Sequence, residues 1–124
     1  MASYALGVRA EALAAAFLQQ QGYQILQQNF RARRGEIDLI ALEDKTLCFV
    51  EVRYRRLEGF GHPSGTVDRL KQRRIVRTAA VYLATAWTGP VCACRFDVVT
   101  LLGSNATPEI VLLRHAFEAP PGSY

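Results

Sequence analysis

Two strand-like segments, GEIDLIALE at residues 35–43 and TLCFVEVRY at residues 46–54, stand only two residues apart and constrain this chain more than any other feature. Both are rich in the β-branched, aromatic and aliphatic residues that suit strands, and Asp44-Lys45 between them is turn material. The predicted unit is an antiparallel hairpin. With that tip, facing positions sum to 89, which sets Asp38 opposite Glu51 and Glu36 opposite Arg53. Directly opposed residues share a face of the sheet. One face is therefore expected to carry three carboxylates and a guanidinium, whereas a three-residue loop would shift the pairing by one and separate the acids.

Opposed carboxylates repel, and two readings resolve the repulsion. In one, a divalent cation lies between Asp38 and Glu51, since hard ions such as Mg²⁺ take carboxylate oxygens at about 2.0–2.1 Å. In the other, Glu51 and Arg53 form internal ion pairs with Glu36 and Asp38, an arrangement that needs no chemistry.

The rest of the chain supplies a single domain over residues 1–118 and a flexible tail at 119–124. Residues 4–21 read as a helix with Leu6, Ala10, Leu13, Ala14, Phe17 and Leu18 on its apolar side and Gly22 as its stop. Glu11 borders that side, either as a third acid reaching the sheet or as a carboxylate snorkelling at the helix edge. Residues 23–30 read as a strand, and 57–66, with three glycines, a proline and a serine, as an exposed loop. A second helix is expected over 67–87, burying Leu70, Val76, Ala79, Ala80, Leu83 and either Ala86 or Trp87. Strands follow at 94–102 and 110–117, with Asp97 in a structural role.

Thirteen of the fifteen basic residues are arginine, whose planar fork matches phosphate. Arg31, Arg33 and Arg34 precede the first acidic segment, Arg55 and Arg56 follow the second, and Arg69, Arg73, Arg74 and Arg77 crowd the later helix beside Lys71. Together with a net charge of +4, this clustering points to a polyanion, above all nucleic acid. No segment approaches the ~18 to 20 apolar residues of a membrane span, and no secretory signal is apparent. Cys48, Cys92 and Cys94 have neither zinc-site spacing nor an even count, so they read as core residues in a reducing cytoplasm. His62 and His115 are isolated from any residue that would make a zinc site or a nucleophilic triad.

An order of helix, three strands, helix and two strands, with Asp38, a gap and then Glu51-x-basic, resembles the restriction endonuclease-like superfamily. The closer resemblance is to the small bacterial YraN family of predicted endonucleases, related to Holliday junction resolvases. Its matching pieces are Leu6-Gly7, Glu11, Gly22-Tyr23-Gln24-Ile25-Leu26, Asn29-Phe30-Arg31, Gly35-Glu36-Ile37-Asp38-Leu39-Ile40 and Phe49-Val50-Glu51-Val52. The resemblance implies an α/β fold with a central mixed sheet flanked by helices, in the order α-β-β-β-α-β-β. It also implies that Asp38, Glu51, the Val52 carbonyl and Glu11 hold Mg²⁺ or Mn²⁺, that DNA is the substrate, and that the protein forms a homodimer. Glu36 falls within the same motif.

The usual lysine of that pattern is Arg53 here. Arginine stays protonated and cannot accept a proton from an attacking water, although it can stabilise developing negative charge. Lys71 is the alternative source of an ammonium. The sequence therefore leaves two leading functions, a metal-dependent nuclease acting on DNA and a noncatalytic nucleic-acid-binding module with a degenerate site. An interaction scaffold with ion-paired acids is a third.

Overall fold

The computed structural model describes residues 2–55, 67–103 and 107–121, with side chains from Val8 onward. Along the chain lie α1 (Ala2–Gln20), β1 (Gln24–Ala32), β2 (Gly35–Glu43), β3 (Thr46–Arg55), α2 (Arg69–Thr85), β4 (Ala93–Leu102) and β5 (Glu109–Phe117). The strands form one sheet in the order β1-β2-β3-β4-β5. It is mixed: β3 and β4 run parallel, and the other neighbours are antiparallel. Parallel neighbours need a crossover, and α2 lies between them in the chain. This is the expected α/β architecture and element order.

Each helix covers one face of the sheet. Ala10, Ala14, Ala15 and Leu18 of α1 pack on Leu39, Ala41, Cys48, Val50, Val99 and Leu101. On the other face, Ile75, Val76, Ala79 and Tyr82 of α2 pack on Ile37, Ile40, Leu47, Phe49, Phe96 and Val98. Because β2, β3 and β4 are covered on both sides, their sequences run as near-continuous apolar segments, and a charge within them is conspicuous.

Local signals set the helix ends. Tyr23 N–H donates to Leu18 O at 2.9 Å and Gly22 adopts φ 98, the left-handed stop that suits glycine. Asp68 caps α2, its carboxylate accepting from Lys71 N–H at 2.9 Å. The buried stripe of α2 is rotated from the expected one. Leu70 is 53% exposed while Ile75 and Tyr82 are buried, because the helix meets the sheet only after its first turn. Ala119 packs against the α2-side core, and Pro120 lies beside α2. Arg56, His62 and the 57–66 loop lie outside the described residues, as do 122–124.

Candidate functional site

The β2–β3 hairpin has the register that a two-residue tip requires: Leu39↔Val50, Ile40↔Phe49, Ala41↔Cys48, Leu42↔Leu47 and Glu43↔Thr46 all sum to 89. Asp44 takes a left-handed φ of 53 at the tip. The paired ladder stops at Leu39↔Val50. Beyond it the pleat breaks. Ile37 and Ile40 both belong to the α2-side core, whereas Leu39 and Ala41 belong to the α1 side. Strict alternation would put Ile37 and Leu39 on one face.

The break has a partner in β1. Asn29 lies between the pairs Gln28↔Leu39 and Phe30↔Ile37, the stretch that faces Asp38, and it has a left-handed φ of 53. Asparagine tolerates that conformation better than most residues. Opposite this left-handed residue, the Asp38 side chain is directed at β3. Asp38 Oδ2 accepts from Val52 N–H at 2.8 Å, and its carboxyl is hydrogen bonded to Glu51.

Glu51 is only 7% exposed. Burial, followed by the charge of Glu51, drives the Asp38 carboxyl well above the ordinary carboxylate range, to about 8. The Asp38 carboxyl thus keeps its proton under conditions where an isolated aspartate has lost it.

Lys71 completes this arrangement. Its ammonium forms an ion pair with Glu51, so α2 delivers a cation that strand pairing alone could not reveal. The Asp68 cap fixes the helical turn from which Lys71 extends. Arg53 is partly buried within the field of Glu51; its guanidinium pKa is lowered by burial and by Arg55, and Glu51 opposes that shift.

The remaining expected acids are arranged differently. Glu36 is not opposite Arg53. It pairs with Arg31 across the β1–β2 ladder, with 3.5 Å between Arg31 Nε and Glu36 Oε2, and stays exposed at the rim. The β2–β3 ladder ends before Arg53 could face it. Glu11 is half-buried, and its pKa is raised by burial despite a hydrogen bond from Asn29. Its charge reaches both Asp38 and Glu51. Among the described residues, however, no group of three or more His, Cys, Asp and Glu side chains is gathered to hold a metal ion. The close pair is Asp38 and Glu51.

Two carboxylates suit Mg²⁺ or Mn²⁺, because Mg²⁺ commonly takes one or two protein carboxylates and completes its shell with water and substrate phosphate. The Glu51 charge adds to burial in raising the Asp38 pKa, a repulsion that a divalent cation would relieve when bound. The donor chemistry therefore fits. Val52 contributes an observed N–H to Asp38, and the role for its carbonyl remains an implication of the resemblance.

The arginines line adjoining clefts around α2, and Arg77 shares one of them with Arg73. Arg33 and Arg34, at the β1–β2 turn, join Arg74, Arg77, Ala32, Thr78 and Val81 around a cleft of about 120 Å³. On another side of the helix, Arg69 and Arg73 line a larger cavity of about 350 Å³ with Gln72, Val76, Glu118 and Pro120. Arg55 is exposed at the end of β3, where its carbonyl accepts from Gly103 N–H at 2.9 Å. Sequence periodicity finds the basic stripe on α2, yet it does not reveal that Arg33-Arg34 is the tip of a second hairpin. Asn29 also escapes a sequence-only assignment; the signal was an asparagine facing the acidic position in a strand.

On β4, in register with Val50 of β3, Asp97 is fully buried. It accepts from Tyr23 Oη at 2.8 Å, Arg95 Nε at 2.8 Å and Arg95 Nη2 at 3.0 Å, and from His115 N–H at 2.9 Å. Arg95 also reaches Glu43 at 2.6 Å, and Arg114 binds both Glu43 oxygens, at 2.9 and 2.6 Å. Arg114, then Arg95, lowers the Glu43 pKa to about 2 against the opposing effect of burial. Burial pushes the nearby Cys48 thiol up to about 12, which suits an inert core residue. This satisfied network supports the structural role expected for Asp97.

No helix among the described residues is long and apolar enough to cross a membrane. The model of the uncharacterised protein family UPF0102 matches residues 10–101, a span that includes Glu11, Asp38, Glu51, Arg53 and Lys71. A UPF0102 protein from Chlorobium chlorochromatii is 53% identical over 94 residues, covering 76% of this chain and 71% of the relative. One from Coxiella burnetii is 43% identical over 113 residues, 91% of this chain and 92% of its own. One from Psychromonas ingrahamii is 42% identical over 117 residues, with 94% and 93% covered.

Proposed function

The chain belongs to the uncharacterised protein family UPF0102, and we propose that it is a metal-dependent nuclease that hydrolyses phosphodiester bonds in DNA, with branched DNA as a candidate substrate. The observation that carries this reading is the pairing of half-buried Asp38 with buried Glu51, and the Lys71 ammonium on Glu51. Two close carboxyls, one with a raised pKa and the other capped by a cation at the foot of an arginine-rich helix, are better suited to phosphate chemistry than to packing alone. Mg²⁺ or Mn²⁺ held by Asp38 and Glu51 would supply an electrophile for the phosphate and acidify a water.

The chain's own residues complete the chemistry. In hydrolysis a water gives up a proton to bulk solvent as its oxygen bonds to phosphorus, a bridging P–O bond breaks, and the leaving oxygen takes up a proton. The Lys71 ammonium, held by Glu51, is the donor best suited to that developing charge. Arg53 cannot act as a base, and its partly buried guanidinium serves as a second fixed donor. The noncatalytic alternative rested on the missing lysine at position 53. Lys71 weakens it by bringing an ammonium to Glu51.

The defining experiment is cleavage of duplex, single-stranded, flap and four-way DNA by highly purified protein with Mg²⁺ or Mn²⁺, using Asp38→Asn as the control for contaminating nuclease. Metal and DNA binding without cleavage of any of these would favour the noncatalytic module. Single-turnover rates separate the two cations. Lys71→Ala and Arg53→Ala are each expected to slow cleavage by roughly 10²–10³, the usual cost of one preorganised donor. If Arg53→Lys cuts while the wild type does not, position 53 rather than Lys71 supplies the required ammonium.

A further inference from the structure

We infer that the cleft formed by Arg33, Arg34, Arg74 and Arg77 is a second phosphate subsite, which holds a backbone phosphodiester of the same nucleic-acid strand that lies over Asp38 and Glu51. The identity of that strand rests on the nuclease reading; the subsite itself rests on four features of the cleft. Its charge comes from two elements that meet in space, the β1–β2 turn and α2. Among the described residues, none of these four arginines is in an ion pair. Arginines gathered without acidic partners repel one another and call for an anion. At about 120 Å³ the cleft is smaller than the ~300–1,000 Å³ of small-molecule pockets, so it suits a phosphate group rather than a whole nucleotide.

The fourth feature is how the cleft is closed. A Cβ on Gly35 would lie 2.6 Å from Thr78 Oγ1 and 3.4 Å from Arg74 O. Only glycine lets the turn settle directly on α2, and that close approach brings Arg33 and Arg34 to Arg74 and Arg77. The same helix links the cleft to the acids. Lys71, which binds Glu51, precedes Arg74 by three residues and Arg77 by six, or about 4.5 and 9 Å of helix rise. A strand with one phosphate at the acid pair would place a neighbouring phosphate along this side of α2. Phosphate contacts of this kind set register and carry no base preference.

The test measures fluorescence anisotropy of labelled single-stranded and duplex 20-mers with full-length protein in EDTA, at several salt concentrations. The variants are Arg33→Ala/Arg34→Ala, Arg74→Ala/Arg77→Ala, Lys45→Ala and Gly35→Ala, with and without Thr78→Ala; melting curves confirm folding. Each arginine pair is expected to lose roughly tenfold in affinity, consistent with the loss of a charged hydrogen bond. The log–log salt slope should shrink by about 0.7–0.9 for each phosphate contact removed. Lys45→Ala, at the exposed β2–β3 tip, removes a charge elsewhere and should remain within twofold of wild type. Gly35→Ala should weaken binding without changing charge, and Thr78→Ala should restore it by removing the clashing hydroxyl.

Unchanged affinity and slope in both arginine pairs, losses matched by Lys45→Ala, or no binding by the wild type would overturn the subsite. Binding is read without cleavage, so the two proposals fail separately. A wild type that binds through the cleft but cuts no DNA removes the nuclease reading and leaves the subsite. A wild type that cuts, with arginine-pair variants that bind and cut equally well, does the reverse.

Discussion

Asp38→Asn is expected to abolish metal-dependent cleavage, with a loss of at least roughly 10³ in single-turnover rate, while making the metal-free protein more stable. The two effects share a cause. Asp38 is held beside buried Glu51, and burial together with that neighbour raises its pKa to about 8. The folded chain therefore keeps a proton that the unfolded chain releases near the ordinary value of 3.8. Wherever the folded state binds more protons, stability falls as pH rises. The wild type should thus lose stability relative to Asp38→Asn from about pH 4 to about pH 8, with the difference levelling above that range.

Asparagine keeps an oxygen to accept the Val52 N–H and carries no charge to repel Glu51. The expected gain at pH 8 is on the order of 2 kcal/mol, read by urea unfolding in EDTA. Adding Mg²⁺ should stabilise the wild type and leave the variant unmoved, because a ligand that binds only the folded state shifts stability by mass action. A variant that melts below wild type at pH 8 in EDTA, or that still cuts, would remove the central pair from both roles.

How much of this was legible beforehand varies residue by residue. The hairpin register follows from Asp44-Lys45 and the apolar runs on either side, and the observed pairs sum to the expected 89. That local calculation could not include the pleat break at Asp38, which coincides with a left-handed Asn29 in a different strand. For the same reason Glu36 looked like a partner of Arg53, whereas β1 supplies Arg31 first. The sequence offers Lys71 as an alternative source of an ammonium but cannot place it at the acids. Its contact with Glu51 is set by the α2 crossover between parallel β3 and β4, a tertiary relation with no local pattern. The arginine cleft is hidden in a similar way, since Gly35 carries no helix or strand signal that would announce its approach to Thr78.

Asp97 provides the opposite stability result with the same side chain. Asp97→Ala is expected to cost about 3–5 kcal/mol, the range for breaking a buried pair by removing one partner. That is a large share of the ~5–15 kcal/mol that holds a typical domain together. Asp97 is completely buried but gives its two oxygens to four donor contacts from Arg95, Tyr23 and the His115 backbone. Removing it leaves the Arg95 guanidinium with only Glu43 as an acidic partner among the described residues, and strips the Tyr23 hydroxyl and His115 N–H of their acceptor. The β4–β5 register shift between Phe96 and Val98 is closed by that last bond, so local strand pairing should loosen as well. Urea unfolding should show the lower midpoint, with hydrogen exchange accelerated first around His115. Asp97→Asn, which keeps the shape but not the charge, should fall between wild type and alanine. If Asp97→Asn instead stabilised the protein as Asp38→Asn is expected to, burial alone would decide the sign. The contrast between a carboxylate facing another acid and one surrounded by donors would then have no energetic meaning.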